Sequence, residues 1–73
     1  MESIQFKVRG EFIELNSLLK ATDVCSSGGA AGALITSGSV QVDGQVELRK
    51  ACKIRPGQVV QTSGKRIEVL ARE

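Results

Sequence analysis

The spacing of hydrophobic and polar residues changes from alternation to helical periodicity early in the chain. Residues 4–9 alternate between apolar and polar side chains, as in a half-buried strand that ends at a glycine. Over residues 12–22 the apolar side chains recur every three or four positions, which predicts a first helix with one buried face. A second helix is predicted to begin at Ser26 or Ser27, either of which can cap it, and to end at Gly38, which tolerates the left-handed conformation.

The rest of the chain has the pattern of two hairpins. Residues 40–46 have strand character around Asp43-Gly44, a pair that favours a tight type I′ turn. Residues 59–62 and 67–69 flank a second, looser loop predicted at residues 63–66. The order strand, helix, helix, strands predicts an α+β fold in which two packed helices, arranged like a helix-turn-helix, cover a small and mostly antiparallel sheet.

Length and composition limit what such a fold can be. The 73 residues are 41% hydrophobic and 25% charged, which predicts one globular domain spanning residues 1–73. No apolar run approaches the ~20 residues that cross a bilayer, and the N-terminus lacks the layout of a signal peptide. We therefore expect a cytosolic monomer with no membrane partner and no small-molecule substrate.

The charges are divided unevenly between the two parts of the chain. Residues 1–47 carry three basic and six acidic side chains, whereas residues 48–73 carry seven basic and two acidic ones. We name residues 49–55 the basic segment, because it contains Arg49, Lys50, Lys53 and Arg55. If this segment is extended, three of its cations share one face at the spacing of successive phosphates. The alternative is a charged edge that only discourages strand aggregation.

Four short motifs carry a resemblance to a known family. They are Leu15…Leu19, Ser27…Ala31…Ile35, the run from Gly38 to Gly44, and the run from Ile54 to Val59. Together they resemble the RNA-binding domain named after ribosomal small-subunit protein four, also called the alpha-L RNA-binding motif, and most closely its small stand-alone bacterial members. The resemblance implies binding of structured RNA, such as ribosomal or transfer RNA, through the paired helices and the face beside the hairpin.

The chain departs from the family pattern at positions where the members carry functional residues. Glu14-Leu15-Asn16 stands in place of Arg-Leu-Asp, and Ser27-Gly28 stands in place of Ser-Arg. Gly32 occupies a position that is commonly basic, and Gln58 replaces an aspartate. The expected RNA contacts therefore shift toward the basic segment.

Other residues can extend that surface. Two cations lie in the second hairpin, one on the polar face of helix one, and the glycines that open helix two let a phosphate approach its N-terminus. The candidate RNA-binding residues are Arg49, Lys50, Lys53, Arg55, Lys65, Arg66, Lys20, Ser27 and Gly28.

The remaining residues favour a non-catalytic protein. With no histidine and no phosphate-binding loop, we expect no enzymatic activity, no cofactor and no metal, and Cys25 and Cys52 are predicted to be core or half-buried thiols. Phe6 and Phe12 are both predicted to lie in the core, so RNA recognition would rest on backbone and shape. The alternative is a protein-interaction module that docks an acidic partner. Duplex DNA is disfavoured because helix two lacks side chains that read a major groove.

Overall fold

A computed structural model describes residues 2–72. In chain order, its elements are β1 (Glu2–Val8), β2 (Ile13–Glu14), α1 (Leu15–Ala21), α2 (Gly28–Thr36), β3 (Gln41–Val42), β4 (Gln45–Val46), β5 (Lys53–Ile54), β6 (Val59–Thr62) and β7 (Lys65–Ala71). Two helices and a mostly antiparallel sheet confirm the predicted α+β class.

The strands form a five-stranded sheet and a separate two-stranded ribbon. The order in the sheet is β1-β7-β6-β3-β4, with β1 parallel to β7 and the other pairs antiparallel. The ribbon pairs β2 with β5 in antiparallel register, so that Ile13 lies opposite Ile54 and Glu14 opposite Lys53. The ribbon thus joins the start of α1 to the basic segment.

One hydrophobic cluster lies between the helices, the sheet and the ribbon. Its fully or almost fully buried members are Val8, Leu15, Leu18, Leu19, Ala31, Ile35, Val40, Val42, Ile54, Val60, Ile67 and Val69. Helix α1 contributes its three leucines, as their helical spacing predicts. The half-buried Cys25 and Cys52 pack against this cluster as free thiols, as predicted.

The predicted caps and tight turns are confirmed. The Ser27 side chain accepts a hydrogen bond from the Ala30 backbone N–H, so Ser27 caps α2. Gly38 ends that helix at φ +84°, and Asp43 and Gly44 both take positive φ between β3 and β4.

The prediction that helix one begins at residue 12 was wrong. Ile13 and Glu14 pair with β5 instead, and α1 begins at Leu15. Phe12 was assigned to the helix because of its spacing, although the strand pairing of residues 13–14 leaves it outside the helix. The prediction that Phe12 lies in the core was also wrong, since it is 38% exposed, whereas Phe6 does pack against the core.

Two predictions for the second half of the chain were also wrong. The second hairpin turns at Ser63-Gly64 alone, because both residues take positive φ, and Lys65 and Arg66 already belong to β7. The basic segment is not extended throughout, since the Cys52 N–H donates to the Arg49 carbonyl at 3.3 Å and closes a turn.

Burial of Ile54 fixes the ribbon to the core. Ile54 is fully buried between exposed neighbours, so Ile54→Val should lower the free energy of unfolding by about 0.5–1.5 kcal/mol in urea denaturation. Val46 is 55% exposed, and Val46→Ala serves as the control with a change within about 0.5 kcal/mol. Equal losses in the two variants would show that the ribbon is not anchored through Ile54.

Candidate nucleic-acid interface

The N-terminus of α1 is capped by the basic segment. Glu14, at the cap position, makes no capping hydrogen bond with its side chain. Instead the Leu15 N–H donates to the Cys52 carbonyl at 2.9 Å, and the Asn16 N–H donates to the Lys50 carbonyl at 3.0 Å. These bonds satisfy two of the amide groups that a helix start leaves without partners. The backbone of the basic segment is therefore held by the helix itself.

The ribbon sets the direction of the two cations that follow the turn. Ile54 is buried, and successive side chains of a strand point to opposite faces. Lys53 and Arg55 therefore point away from the core, and both are exposed. They share this face at a separation of about 6–7 Å along the strand. Within residues 2–72, neither takes part in an ion pair.

The backbone of Arg55 is held by a chain of side-chain hydrogen bonds. The Arg55 N–H donates to Gln58 Oε1 at 2.7 Å, and Gln58 Nε2 donates to Asp43 Oδ2 at 3.2 Å. The other oxygen of Asp43 accepts the Val59 N–H at 3.0 Å. Asp43 therefore links the first hairpin to the turn at Pro56 and Gly57, which follows the basic segment. The sequence indicated only its role in the β3–β4 turn.

The turn of the basic segment carries Lys50 onto helix α2. A methyl group in place of the Gly32 hydrogen would lie 2.7 Å from Lys50 Cδ, so the alkyl stem of Lys50 rests directly on Gly32. Gly32 is buried, whereas Lys50 remains exposed. The loop thus brings a cation to the very helix position where a basic side chain was expected and a glycine stands. Sequence spacing gave no sign of this contact.

Arg49 differs from its neighbours because it is already paired. Its Nε lies 3.1 Å from Glu47 Oε2, and its backbone N–H donates to the same oxygen at 3.0 Å. These hydrogen bonds, that of the side chain first, lower the pKa of the Glu47 carboxyl to about 2. The same pairing raises the pKa of Arg49, whose side chain stays 79% exposed. Part of the Arg49 charge is therefore balanced within the protein.

An open depression of about 380 Å³ lies along the turn. It is lined by Arg49, Ala51, Cys52 and Lys53. Burial raises the pKa of the Cys52 thiol, with the nearby Glu47 adding to the effect, so this sulfur is a neutral thiol at neutral pH. The lining therefore combines two cationic side chains with small, uncharged groups.

The cations of the second hairpin lie apart from the basic segment. The N–H of Gly57, which follows the basic segment closely, donates to the Val69 carbonyl of β7 at 2.8 Å. Lys65 begins β7 four residues before Val69, about 13 Å away along the strand. Arg66 lies on the face opposite the buried Ile67 and forms an ion pair with Glu68. The structure does not bring these two cations together with the basic segment.

The remaining candidates lie on the helices. Lys20 is exposed in the last turn of α1, where a cation complements the helix dipole. The hydroxyl of Ser27 is engaged in capping α2, and Gly28 is exposed beside it with nothing near its Cα hydrogens. Gly28 and Gly32 are one turn apart, about 6 Å along α2, so Lys50 and the start of α2 share one region.

Comparison with known proteins decides the family. Residues 6–70 match the family model described as "S4 domain". This chain belongs to the S4 domain family.

Two relatives and one solved structure show how near the likeness is. The chain is 46% identical over 59 residues to the "Putative RNA-binding protein YbcJ" of Escherichia coli (strain K12), covering 81% of this chain and 84% of that one. The "Uncharacterized protein YbcJ" of Shigella flexneri matches equally. The solution structure of E. coli YbcJ, described as revealing an "ALFAL motif involved in RNA-binding", superposes with a TM-score of 0.72 at 41% identity, covering 92% of this chain and 86% of that one.

The match to the S4 domain family takes in every feature of the candidate interface. It extends over both helices, the ribbon, the β3–β4 hairpin and the basic segment. Among the described residues, no group of His, Cys, Asp and Glu is arranged to hold a metal ion, and no helix is long and apolar enough to cross a membrane.

The pairing of Glu47 with Arg49 generates a pH prediction. Because the folded-state pKa lies below the ordinary value of about 4.5, the pair stabilises the fold above that pH, and this contribution is lost as the pH falls toward 2. Arg49→Ala should raise the Glu47 pKa part of the way to 4.5, as measured by NMR titration of the carboxyl carbon. Arg66→Ala, which removes an arginine elsewhere, should leave it unchanged. A Glu47 pKa near 4.5 in the unaltered protein would contradict the geometry.

Proposed function

We propose that this protein is a non-catalytic RNA-binding protein that contacts the phosphate backbone of structured RNA through its basic segment. The observation that carries the proposal is the fixed, outward presentation of Lys53 and Arg55, which have no ion-pair partner within residues 2–72. Membership of the S4 domain family supports it, as do the name of the Escherichia coli relative and the description of the solved YbcJ structure.

Anchoring of the segment matters for affinity. Ordering a flexible loop on binding costs about 0.5–1.5 kcal/mol for each immobilised long side chain, in addition to the cost of ordering the backbone. Here the backbone carbonyls of Lys50 and Cys52 are already bound by α1, and the Arg55 N–H is bound by Gln58. Only the side chains remain to be ordered, so more of the phosphate attraction appears as affinity.

Lys50 extends the interface toward helix α2. Its stem crosses Gly32, and the exposed Gly28 lies one turn away along the same helix. A phosphate near the start of α2 would therefore meet both the Lys50 ammonium and the positive end of the helix dipole. This arrangement supplies charge where the chain lacks the arginine that opens helix two in its family. Arg49, Lys20 and Ser27 border this surface, and we assign them smaller contributions.

The proposed target is folded RNA, of the ribosomal or transfer class, met in the cytoplasm. A surface of this size can make three to five phosphate contacts, which predicts a log–log salt slope of roughly −2 to −4. Binding of that kind is strongly weakened by salt. Lys65 and Arg66 lie at the far end of the β6–β7 hairpin, so we expect them to contact RNA only at its periphery.

Removal of the two outward cations tests the proposal. Lys53→Ala/Arg55→Ala should weaken binding to folded RNA at least tenfold at low salt and reduce the salt slope by about 1.5, since each lost contact removes roughly 0.7–0.9. Lys65→Ala/Arg66→Ala is the matched control, because it removes the same charge from another place and should change affinity less than threefold. The measurement is a fluorescence anisotropy titration at two salt concentrations.

Equal weakening in the two double variants would contradict a defined interface and indicate attraction to net charge alone. Unchanged binding in Lys53→Ala/Arg55→Ala would remove these residues from the site. Capture of an acidic protein partner that persists after nuclease treatment, with no RNA binding by the isolated chain, would favour the protein-interaction alternative.

The contact between Lys50 and Gly32 provides a second test. Gly32→Ala should stabilise the fold by up to about 1 kcal/mol, because alanine favours a helix interior more than glycine does. The new methyl would also displace the Lys50 stem, which lies 2.7 Å from its position, and so should weaken RNA binding several-fold. Urea denaturation and anisotropy measure the two effects, which have opposite signs.

Gly29→Ala is the control for stability, since the atom nearest to its new methyl is 3.9 Å away. It should stabilise the helix without moving Lys50. The double variant Gly32→Ala/Lys50→Ala should bind no more weakly than Lys50→Ala alone. A further loss in the double variant would show that Gly32 acts on RNA independently of Lys50.

A further inference from the structure

Phe12 is a large apolar side chain at the surface of the protein. It is 38% exposed, and it is not among the residues that pack on the core, whereas Phe6 is. The strand pairing that starts α1 at Leu15 leaves Phe12 just before β2. The ring is therefore partly open to solvent at the ribbon, where a ligand can reach it.

The ribbon puts Phe12 on the same face as two cations. Ile13 and Ile54 are partners that face the core, so Glu14 and Lys53, the next pair, face outward. Continuing the register by one residue the other way sets Phe12 opposite Arg55 on that same outward face. Lys53 Nζ lies 5.0 Å from the centroid of the Phe12 ring. The outer face of the ribbon therefore carries an aromatic ring and two cations, together with Glu14.

The charges on this face are also ordered along it. Glu14 and Lys53 form the pair at the end next to α1, while Phe12 and Arg55 lie at the other end. Glu14 offsets the Lys53 charge at its own end, so a phosphate is attracted toward the end where Phe12 and Arg55 lie. The ring thus lies beside the position that a phosphate prefers.

We propose that Phe12 stacks on an unpaired base of the bound RNA while Lys53 and Arg55 hold the phosphates on either side. The inference rests on the proposed function and names its substrate class, which is folded RNA that carries an unpaired nucleotide in a loop or bulge. Aromatic rings beside backbone-binding cations are the usual means by which proteins hold unstacked bases. On binding, the base replaces Lys53 as the partner of the Phe12 ring, since a surface cation–π contact is weaker than stacking of a base on the ring.

A single tryptophan reports directly on stacking. The chain has no tryptophan and no tyrosine, so Phe12→Trp creates a fluorophore at the proposed position alone. A hairpin RNA with one unpaired nucleotide should quench this fluorescence, and the same hairpin with an abasic residue in the bulge should not. Val46→Trp, on β4 at a site that is 55% exposed, is the matched control and should show no quenching by either RNA.

Affinity gives an independent readout. Phe12→Leu keeps an apolar side chain but removes the flat ring, and it should weaken binding to the bulged RNA by roughly 5- to 100-fold. Binding of the abasic RNA should change less than twofold, so the preference for the unpaired base disappears. Phe12→Tyr retains a flat ring and should therefore keep the preference for the unpaired base. Circular dichroism should show the same fold in all variants.

The outcomes separate this inference from the function on which it rests. If Phe12→Trp binds RNA without quenching, or Phe12→Leu keeps the preference for the bulged RNA, stacking by Phe12 is wrong while RNA binding stands. If the unaltered protein binds neither RNA at low salt, the proposed function fails, and stacking fails with it.

Discussion

The two backbone hydrogen bonds from the start of α1 to the carbonyls of Lys50 and Cys52 are the constraint on which the rest of the structure depends. They replace the side-chain cap that Glu14 does not supply. Because these bonds give two amides at the start of α1 their partners, the ordered helix start and the ordered basic segment stabilise each other. The stability of the helix and that of the candidate RNA surface are therefore coupled, and a change that disorders one destabilises the other.

This coupling explains how a weak second helix and a short ribbon hold a defined surface. Helix α2 contains three glycines, each of which lowers helix propensity, so tertiary contacts must hold it. Buried Ala31 and Ile35 provide contacts from within, and the Lys50 stem covers Gly32 from outside. On the other side, Asp43 and Gln58 hold Arg55 through its backbone N–H. The same contacts therefore stabilise the fold and fix the positions of the cations.

Local signals in the sequence predicted the elements well, and contacts between distant residues were missed. The Ser27 cap, the left-handed Gly38 and the Asp43-Gly44 turn depend on neighbouring residues, so each was predictable. The β2–β5 pairing joins residues about forty positions apart, and a two-residue strand has no periodicity of its own. For that reason Phe12 was placed in the helix and core, and the turn in the basic segment was not seen. The contact between Lys50 and Gly32 was missed for the same reason, because the two residues are distant in sequence and a glycine has no side chain that would indicate a partner.

The most direct test is to map RNA binding on the amide spectrum of the labelled protein, which at 7.8 kDa is small enough for complete assignment. On titration with folded RNA, this arrangement predicts shifts at Lys53 to Arg55 and at the amides of Leu15 and Asn16, whose hydrogen bonds end on the same segment. Lys65 and Arg66 should move little. Shifts centred on the β6–β7 turn, with residues 15–16 and 50–55 unchanged, would contradict it.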